Sequence, residues 1–223
     1  MSSDYLTEDN QVNRKILGAY NPACLLSLAG VFAAVGTMIF SVRGTVELAL
    51  VCLILAGLAD LFDGVVARRL RLGEYEKEFG VQLDTTVDAV AFIAAPVVFA
   101  LSLGPTSWPV VLGVAWFVLA GVLRLSHFST LSALGVDQST HHRGLPVTYI
   151  ALILPLLFLA RDGMATADFH LLLGLALAVV GLLFVINVPV PKPRGMFYVI
   201  LPLLAAGLIA HWVERYLQFS VSL

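Results

Sequence analysis

Four aspartates in two pairs are the residues of this sequence best suited to chemistry. Asp60 and Asp63 form the first pair, and Asp84 and Asp88 form the second, in the next apolar stretch. Helical residues three or four positions apart share a face, so each pair presents its carboxylates together. An aspartate at the centre of a membrane helix costs about 2.5–3.5 kcal/mol on insertion scales, so such carboxylates need compensation and usually mark function.

A divalent metal ion would compensate this cluster of acids. Four carboxylates in one small volume would otherwise repel each other and take up protons. Mg²⁺ and Mn²⁺ are hard cations that bind carboxylate oxygens, and two ions a few ångströms apart would clamp the oxygens of a phosphate or pyrophosphate during a displacement. The sequence therefore predicts a site for Mg²⁺ or Mn²⁺, with two ions, that transfers a phosphate-containing group.

Small residues and one arginine near the acidic pairs indicate where a phosphate-containing ligand would approach. Gly64, Ala67 and Gly80 allow a bulky ligand close to the backbone, although close helix packing would need the same residues. Arg68 follows Asp63 by about one helical turn, and its forked guanidinium suits phosphate oxygens. Anchoring at the cytoplasmic membrane surface is the alternative role for this arginine.

The elements that must position these residues are membrane-spanning helices. Of the 223 residues, 59% are hydrophobic and only 13% are charged, whereas a soluble domain carries about 25% charged residues. A span needs about 20 apolar residues, and backbone groups in lipid must be satisfied within the span, which favours helices. The predicted fold is an all-α polytopic membrane bundle of about six to seven transmembrane helices, with candidates at residues 22–42, 46–66, 83–103, 107–126, 145–160, 168–188 and 196–213.

The distribution of basic residues predicts the orientation of these spans. With a cytoplasmic amino terminus, ten Lys and Arg residues face the cytoplasm and three face the other side, in agreement with the positive-inside rule. The segment before the first span lacks the basic start and cleavage site of a secretory signal, so we expect the first span to be retained. Residues 1–20 are predicted as a cytoplasmic amino-terminal segment and residues 21–223 as one membrane-embedded domain.

The order and spacing of these residues resemble the signature of the CDP-alcohol phosphotransferase family of membrane enzymes. The matching pattern is Asp60-x2-Asp63-Gly64-x2-Ala67-Arg68, then eleven residues, then Gly80-x3-Asp84-x3-Asp88. Within the family, the run from Glu78 to Asp84 is similar to the CDP-diacylglycerol:serine O-phosphatidyltransferase branch. Arg124-Leu125 with Phe128, and Gly144-Leu145-Pro146, are weaker similarities to the same branch.

This resemblance implies a reaction and its setting. The reaction is the transfer of a phosphatidyl group from CDP-diacylglycerol to the hydroxyl of L-serine, which releases CMP and forms phosphatidylserine. The implied setting is the cell (inner) membrane, with the active site facing the cytoplasm, in a homodimer and without a nucleic-acid partner.

The resemblance also implies roles for individual residues. Asp60, Asp63 and Asp84 would hold the metal ions, and Asp88 would border them and act as general base on the attacking hydroxyl. A base within hydrogen-bond reach of an unactivated alcohol accelerates its attack about 10²- to 10⁴-fold. The residues expected to contact the nucleotide or its phosphates are Gly64, Ala67, Arg68 and Gly80.

Four further basic residues are candidates for binding the carboxylate of the acceptor or the phosphate of the lipid. Arg124 and Arg143 bound a predicted cytoplasmic loop, and Lys192 and Arg194 lie in a proline-rich loop before the last span. The alternative for all four is a general positive charge at the cytoplasmic membrane surface.

Two other functions remain open on the sequence alone. The same chemistry would serve another acceptor, such as glycerol phosphate, an inositol phosphate or choline, or an archaeal ether lipid. The resemblance implies that the acceptor is selected near His127 and Ser129, where this sequence departs from the serine branch. A membrane cation-binding or transport protein is the alternative from another class, because intramembrane aspartates also line cation pathways.

Overall fold

The protein is a bundle of helices, described here by a computed structural model that covers residues 18–104, 107–135, 141–187, 189–191 and 196–221. Within these residues, six helices are long and apolar enough to span a membrane, which confirms the predicted all-α fold. In chain order the helices are α1 (Pro22–Val42), α2 (Val46–Ala67), α3 (Glu74–Asp88), α4 (Ala95–Ser102), α5 (Trp108–Ala133), α6 (Ile150–Phe158), α7 (Thr166–Val185) and α8 (Phe197–Val221).

The third span is longer than predicted and contains a change of helix type. It runs continuously over Glu74–Ser102, so Asp84 and Asp88 lie inside a helix rather than at its start. Gly73 begins this helix because its N–H donates to the Glu76 carboxylate at 3.2 Å, a form of helix capping that a search for apolar residues does not detect.

A π-helical segment (Ala89–Ala94) joins α3 to α4 immediately after Asp88. The N–H of Ala95 donates to the carbonyl of Val90, five residues back. Pro96 gives the physical reason, since a proline has no N–H and its ring clashes with the carbonyl four residues earlier in a regular α-helix. The wider turn rotates the side chains of α4 about the helix axis relative to those of α3, so the buried face of α4 is offset from the acidic face of α3.

Helix α5 also extends beyond its predicted end. The sequence placed a loop from Arg124 to Arg143, but α5 continues to Ala133 and includes Arg124. That prediction was wrong because polar residues were taken as the end of the helix. Thr130 instead donates its hydroxyl to the carbonyl of Ser126 within the helix, and Gly135, with φ of +66°, follows the end of the helix.

The segment predicted as the fifth span, residues 145–160, contains only a short helix. It forms a 3₁₀ turn (Val147–Tyr149) followed by α6, which has nine residues and includes Pro155. Nine helical residues span about 14 Å, less than half of the roughly 30 Å of a hydrocarbon core. Residues 145–160 are therefore not among the six long helices.

The two ends of the bundle differ in their charged residues. We call the end that carries Asp63, Arg68 and Tyr198 the aspartate end. At the opposite end, Arg215 of α8 donates two hydrogen bonds to the carboxylate of Asp162, in the connection between α6 and α7. These hydrogen bonds hold the pKa of the Asp162 carboxyl group below its usual range, so the pair stays charged at neutral pH.

Helices α5 and α7 pack together through glycines. A Cβ atom added to Gly113 would lie 2.4 Å from the carbonyl oxygen of Gly174, and one added to Gly174 would lie 2.8 Å from the Cα of Val110. Backbone atoms cannot move aside as a flexible side chain can. The two helices therefore require glycine at these positions in order to remain this close.

We expect the substitution Gly113→Ala to lower the free energy of unfolding by about 1–3 kcal/mol, because the added methyl group forces the two helices apart. For a chain of this size, this loss corresponds to a fall in Tm of about 2–10 °C, measurable by tryptophan fluorescence in detergent. Gly207→Ala is the matched control, since its added Cβ meets no described atom within 4 Å. An equal fall in both variants would contradict this account.

Candidate active site

Three of the four aspartates meet in one place. Helix α2 carries Asp60, and α3 carries Asp84 and Asp88 on a shared face. One carboxylate oxygen from each of these three residues lies within 4.8 Å of the other two. The structure thus brings together acids from two helices, and Asp84 and Asp88 share a face as their spacing predicted.

Asp63 lies at the edge of this group and has a different environment. Its side chain is buried, with 7% exposed, and it lines the same cavity as the other three aspartates. One of its oxygens accepts a hydrogen bond of 2.6 Å from the hydroxyl of Ser27 in α1. This hydrogen bond fixes the Asp63 carboxylate and leaves its second oxygen as a possible ligand.

The donor set fits a hard divalent cation. Oδ1 of Asp88 is buried and has no hydrogen-bond partner among the described residues, and a buried polar atom without a partner is costly. Clustered carboxylate oxygens are the ligands that Mg²⁺ and Mn²⁺ take in proteins. The residues present therefore suit such an ion.

A tight connection places a hydroxyl group beside the acids. Gly144 has φ of +77°, and a Cβ atom there would lie 2.6 Å from the carbonyl oxygen of Phe184, so this position needs glycine. The next N–H, of Leu145, donates to the carbonyl of Leu183 at 2.9 Å and fixes the segment to the end of α7. The 3₁₀ turn that follows brings the Thr148 hydroxyl within hydrogen-bonding reach of Asp60.

The aspartates line a cavity of about 290 Å³ with a polar part and an apolar part. Arg68, Arg124 and the four aspartates contribute charged groups to it. Its apolar walls include residues of α2, α5, α6 and α8, namely Ile54, Leu58, Leu61, Leu125, Phe128, Ala151, Leu152, Leu201 and Ala205. A cavity of this kind suits a ligand that joins a charged group to a hydrocarbon group.

Arg124 is a buried cation next to the acids. Only 7% of its surface is exposed, its guanidinium carbon lies 5.6 Å from the ring centroid of Phe128, and it interacts electrostatically with Asp88. Its Nε atom is buried without a hydrogen-bond partner in the part of the chain that the structure describes. Arg124 therefore offers an unused donor beside the cavity to an anionic ligand.

The other predicted site residues either do not line the cavity or fall outside what the structure describes. Ala67 and Gly80 do not line the cavity, and a Cβ added to Gly80 would meet no described atom within 4 Å. Arg143 belongs to β1 (His141–Arg143), whose backbone pairs with β2 (Pro189–Pro191), but its side chain lies outside the described structure. Lys192 and Arg194 also lie outside the described residues.

Three residues of the site were not predicted from the sequence. Ser27 binds Asp63, Thr148 approaches Asp60, and Tyr198 lines the cavity and binds Arg68. Polar residues within apolar spans are a possible signal for Ser27 and Thr148. Tyr198 has no such signal, because tyrosines are common at the ends of membrane spans.

Comparison with known proteins agrees with this geometry. The CDP-diacylglycerol--serine O-phosphatidyltransferase of Saccharomyces cerevisiae is 32% identical over 149 residues, which are 63% of this chain and 53% of that protein. The archaetidylserine synthase of Methanothermobacter thermautotrophicus is 29% identical over 136 residues, which are 60% of this chain and 56% of that protein. The chain thus spans about half the length of these curated relatives.

The family model for CDP-alcohol phosphatidyltransferases matches residues 20–190. This range includes the four aspartates, Arg68, Arg124 and Thr148, and so covers most of the cavity. The chain belongs to the CDP-alcohol phosphatidyltransferase family.

Proposed function

We propose that this protein transfers a phosphatidyl group from CDP-diacylglycerol, or from its archaeal ether-lipid counterpart, to the hydroxyl group of L-serine. The observation that carries this proposal is the convergence of Asp60, Asp84 and Asp88 in a cavity that also has apolar walls. The names of the two relatives support serine as the acceptor, and they differ in the lipid.

Asp88 is the proposed general base. Its carboxylate lines the cavity beside Asp60 and Asp84, where it would take the proton of the serine hydroxyl. The serine oxygen then forms a bond to the phosphorus atom that carries the lipid, and the bond from this phosphorus to CMP breaks. CMP leaves, and phosphatidylserine or its ether-lipid counterpart is the second product.

The aspartates would also position the phosphates of the substrate by holding metal ions. A pair of Mg²⁺ or Mn²⁺ ions would neutralise the charge of the pyrophosphate when bound. Asp60, Asp63, Asp84 and Asp88 are the residues that would hold these ions. Ser27 keeps the Asp63 carboxylate directed toward the cavity, so it supports this role.

Two arginines are proposed to bind anionic parts of the substrates. Arg68 lies at the polar part of the cavity beside Gly64, where its guanidinium would bind oxygens of the CDP group. Arg124, with its unused Nε donor, would bind the carboxylate of serine or the lipid phosphate. The nucleotide roles of Ala67 and Gly80 and the anion roles of Arg143, Lys192 and Arg194 rest on the sequence resemblance alone.

The proposed location places the aspartate end at the cytoplasmic face of the cell membrane. Arg68, Arg69 and Arg71 follow α2 at this end, whereas Arg161 and Arg215 belong to the opposite end. This asymmetry agrees with the positive-inside rule. The water-soluble serine would arrive from the cytoplasm and the lipid from the bilayer, and we propose a homodimer as the assembled form.

A panel assay tests the proposed reaction. Purified protein is incubated with CDP-diacylglycerol or its ether-lipid counterpart, Mg²⁺ or Mn²⁺, and serine, glycerol phosphate, an inositol phosphate or choline. We expect CMP release with serine, and a lipid product identified by mass spectrometry. CMP release with another alcohol but not with serine would change the proposed acceptor. Metal flux in liposomes without any CMP release would support a transport protein instead.

A further inference from the structure

Helix α8 contributes to the cavity although it lies outside the residues that match the family model. The match to the family ends at residue 190, and α8 begins at Phe197. Tyr198, Leu201 and Ala205 of this helix nevertheless line the cavity beside residues of α2 and α6. Part of the cavity wall therefore lies outside the residues that match the family model.

Tyr198 makes a direct contact with Arg68, a residue of the signature. Nη2 of Arg68 donates a hydrogen bond of 3.0 Å to the hydroxyl oxygen of Tyr198. The guanidinium carbon also lies 6.0 Å from the centroid of the tyrosine ring, within the range of a cation–π interaction. The hydroxyl group and the ring of Tyr198 thus both restrain the Arg68 side chain.

The contact between Arg68 and Tyr198 lies at the polar part of the cavity. Nη1 of Arg68 lies 3.6 Å from the point where a Cβ on Gly64 would stand. The guanidinium therefore packs against Gly64, the residue that follows Asp63, and does not point away from α2 into solvent. Arg68 itself is exposed, so without Tyr198 the described structure offers little to restrict its long side chain.

Restriction of this kind changes how well an arginine binds an anion. A guanidinium has five N–H donors, and the hydroxyl of Tyr198 accepts from one of its nitrogens, which leaves donors for phosphate oxygens. An arginine that is already oriented loses less side-chain freedom when the anion binds. The contact from α8 would thus increase affinity without touching the reacting atoms.

We propose that Tyr198 is a positioning residue that holds Arg68 over the diphosphate of the nucleotide, so that α8 forms part of the nucleotide-binding site of this chain. This inference rests on the proposed function, because it takes a CDP group as the ligand of the cavity. It concerns binding of the nucleotide, whereas the aspartates are assigned to the metal ions and the proton.

A double-mutant cycle on the full chain in detergent tests this inference, with calorimetric binding of CDP in the presence of Mg²⁺ as the measurement. We expect Tyr198→Phe, which keeps the ring, to weaken CDP binding about fivefold, as for the loss of one hydrogen bond. Arg68→Ala should weaken binding further, and the double variant should bind no more weakly than Arg68→Ala alone. Tyr216→Phe, on the same helix at the opposite end, is the control and should bind CDP as the unaltered protein does.

Binding of Mn²⁺ without nucleotide separates positioning from general damage to the fold. We expect Tyr198→Phe to leave the Mn²⁺ affinity unchanged. Unchanged CDP affinity in Tyr198→Phe, fully additive losses in the double variant, or a parallel loss of Mn²⁺ affinity would each overturn the inference. If the unaltered protein bound Mn²⁺ but no CDP, the proposed function would fail, and this inference would fail with it.

Discussion

Replacement of Asp88 with asparagine is expected to reduce turnover by about 10²- to 10⁴-fold, the usual contribution of a general base. Asparagine has nearly the same size as aspartate but cannot accept the proton of the attacking hydroxyl. The measurement is the initial rate of CMP release at saturating CDP-lipid and serine. Saturating Mg²⁺ is included because Asp88 also borders the proposed metal site.

The matched control for this variant is Asp168→Asn. Asp168 lies in the first turn of α7, is exposed and does not line the cavity. We expect its substitution to leave the rate of CMP release unchanged. Full turnover by the Asp88→Asn variant would remove the assignment of Asp88 as the base.

The neighbours of the four aspartates explain why Asp88 is the residue chosen for this test. Asp63 accepts a hydrogen bond from Ser27, and Asp60 has the hydroxyl of Thr148 within reach. Asp88 has a buried oxygen, Oδ1, without a hydrogen-bond partner among the described residues, and its carboxylate lies beside those of Asp60 and Asp84. Asp88→Asn therefore removes the proposed base without altering the carboxylates that Ser27 and Thr148 approach.

The parts of the site that the sequence predicted are those that depend on local spacing. Asp84 and Asp88 are four residues apart on one helix, so their shared face follows from helix geometry alone. The pairing of Asp60 with these residues required only that α2 and the third span approach each other at one end. Long apolar segments likewise predicted six of the seven candidate spans, because length and hydropathy determine a span, whereas the fifth candidate contains only a nine-residue helix.

The parts that the sequence did not predict depend on distant contacts or on single hydrogen bonds. Tyr198 and Arg68 are 130 residues apart, and no periodic pattern relates them. The continuation of α5 past Arg124 depends on polar residues that remain helical, and the π-helical segment depends on one proline after Asp88. Tertiary packing decides each of these features, and a pattern of apolar residues does not record it.

Removal of the metal ion is expected to have an effect as large as the loss of the base. Treatment of the purified protein with EDTA should abolish CMP release, and added Mg²⁺ or Mn²⁺ should restore it. Among variants, Asp84→Ala should weaken Mn²⁺ binding by at least about 100-fold, because loss of even an outer-shell partner of a metal costs about 10- to 100-fold.

The control for the metal prediction shows whether the loss of Mn²⁺ affinity is specific to the proposed ligands or follows from removing any acidic side chain. Glu47→Gln removes a carboxylate from the other end of α2, where Glu47 lines the cavity that also contains Arg215, and it should leave Mn²⁺ affinity unchanged. Three oxygens within 4.8 Å of one another can share one ion, so Asp60→Ala should reproduce the loss seen for Asp84→Ala. If either variant kept the affinity of the unaltered protein, the aspartates would not form one metal site, and the proposed roles of all four would have to be abandoned.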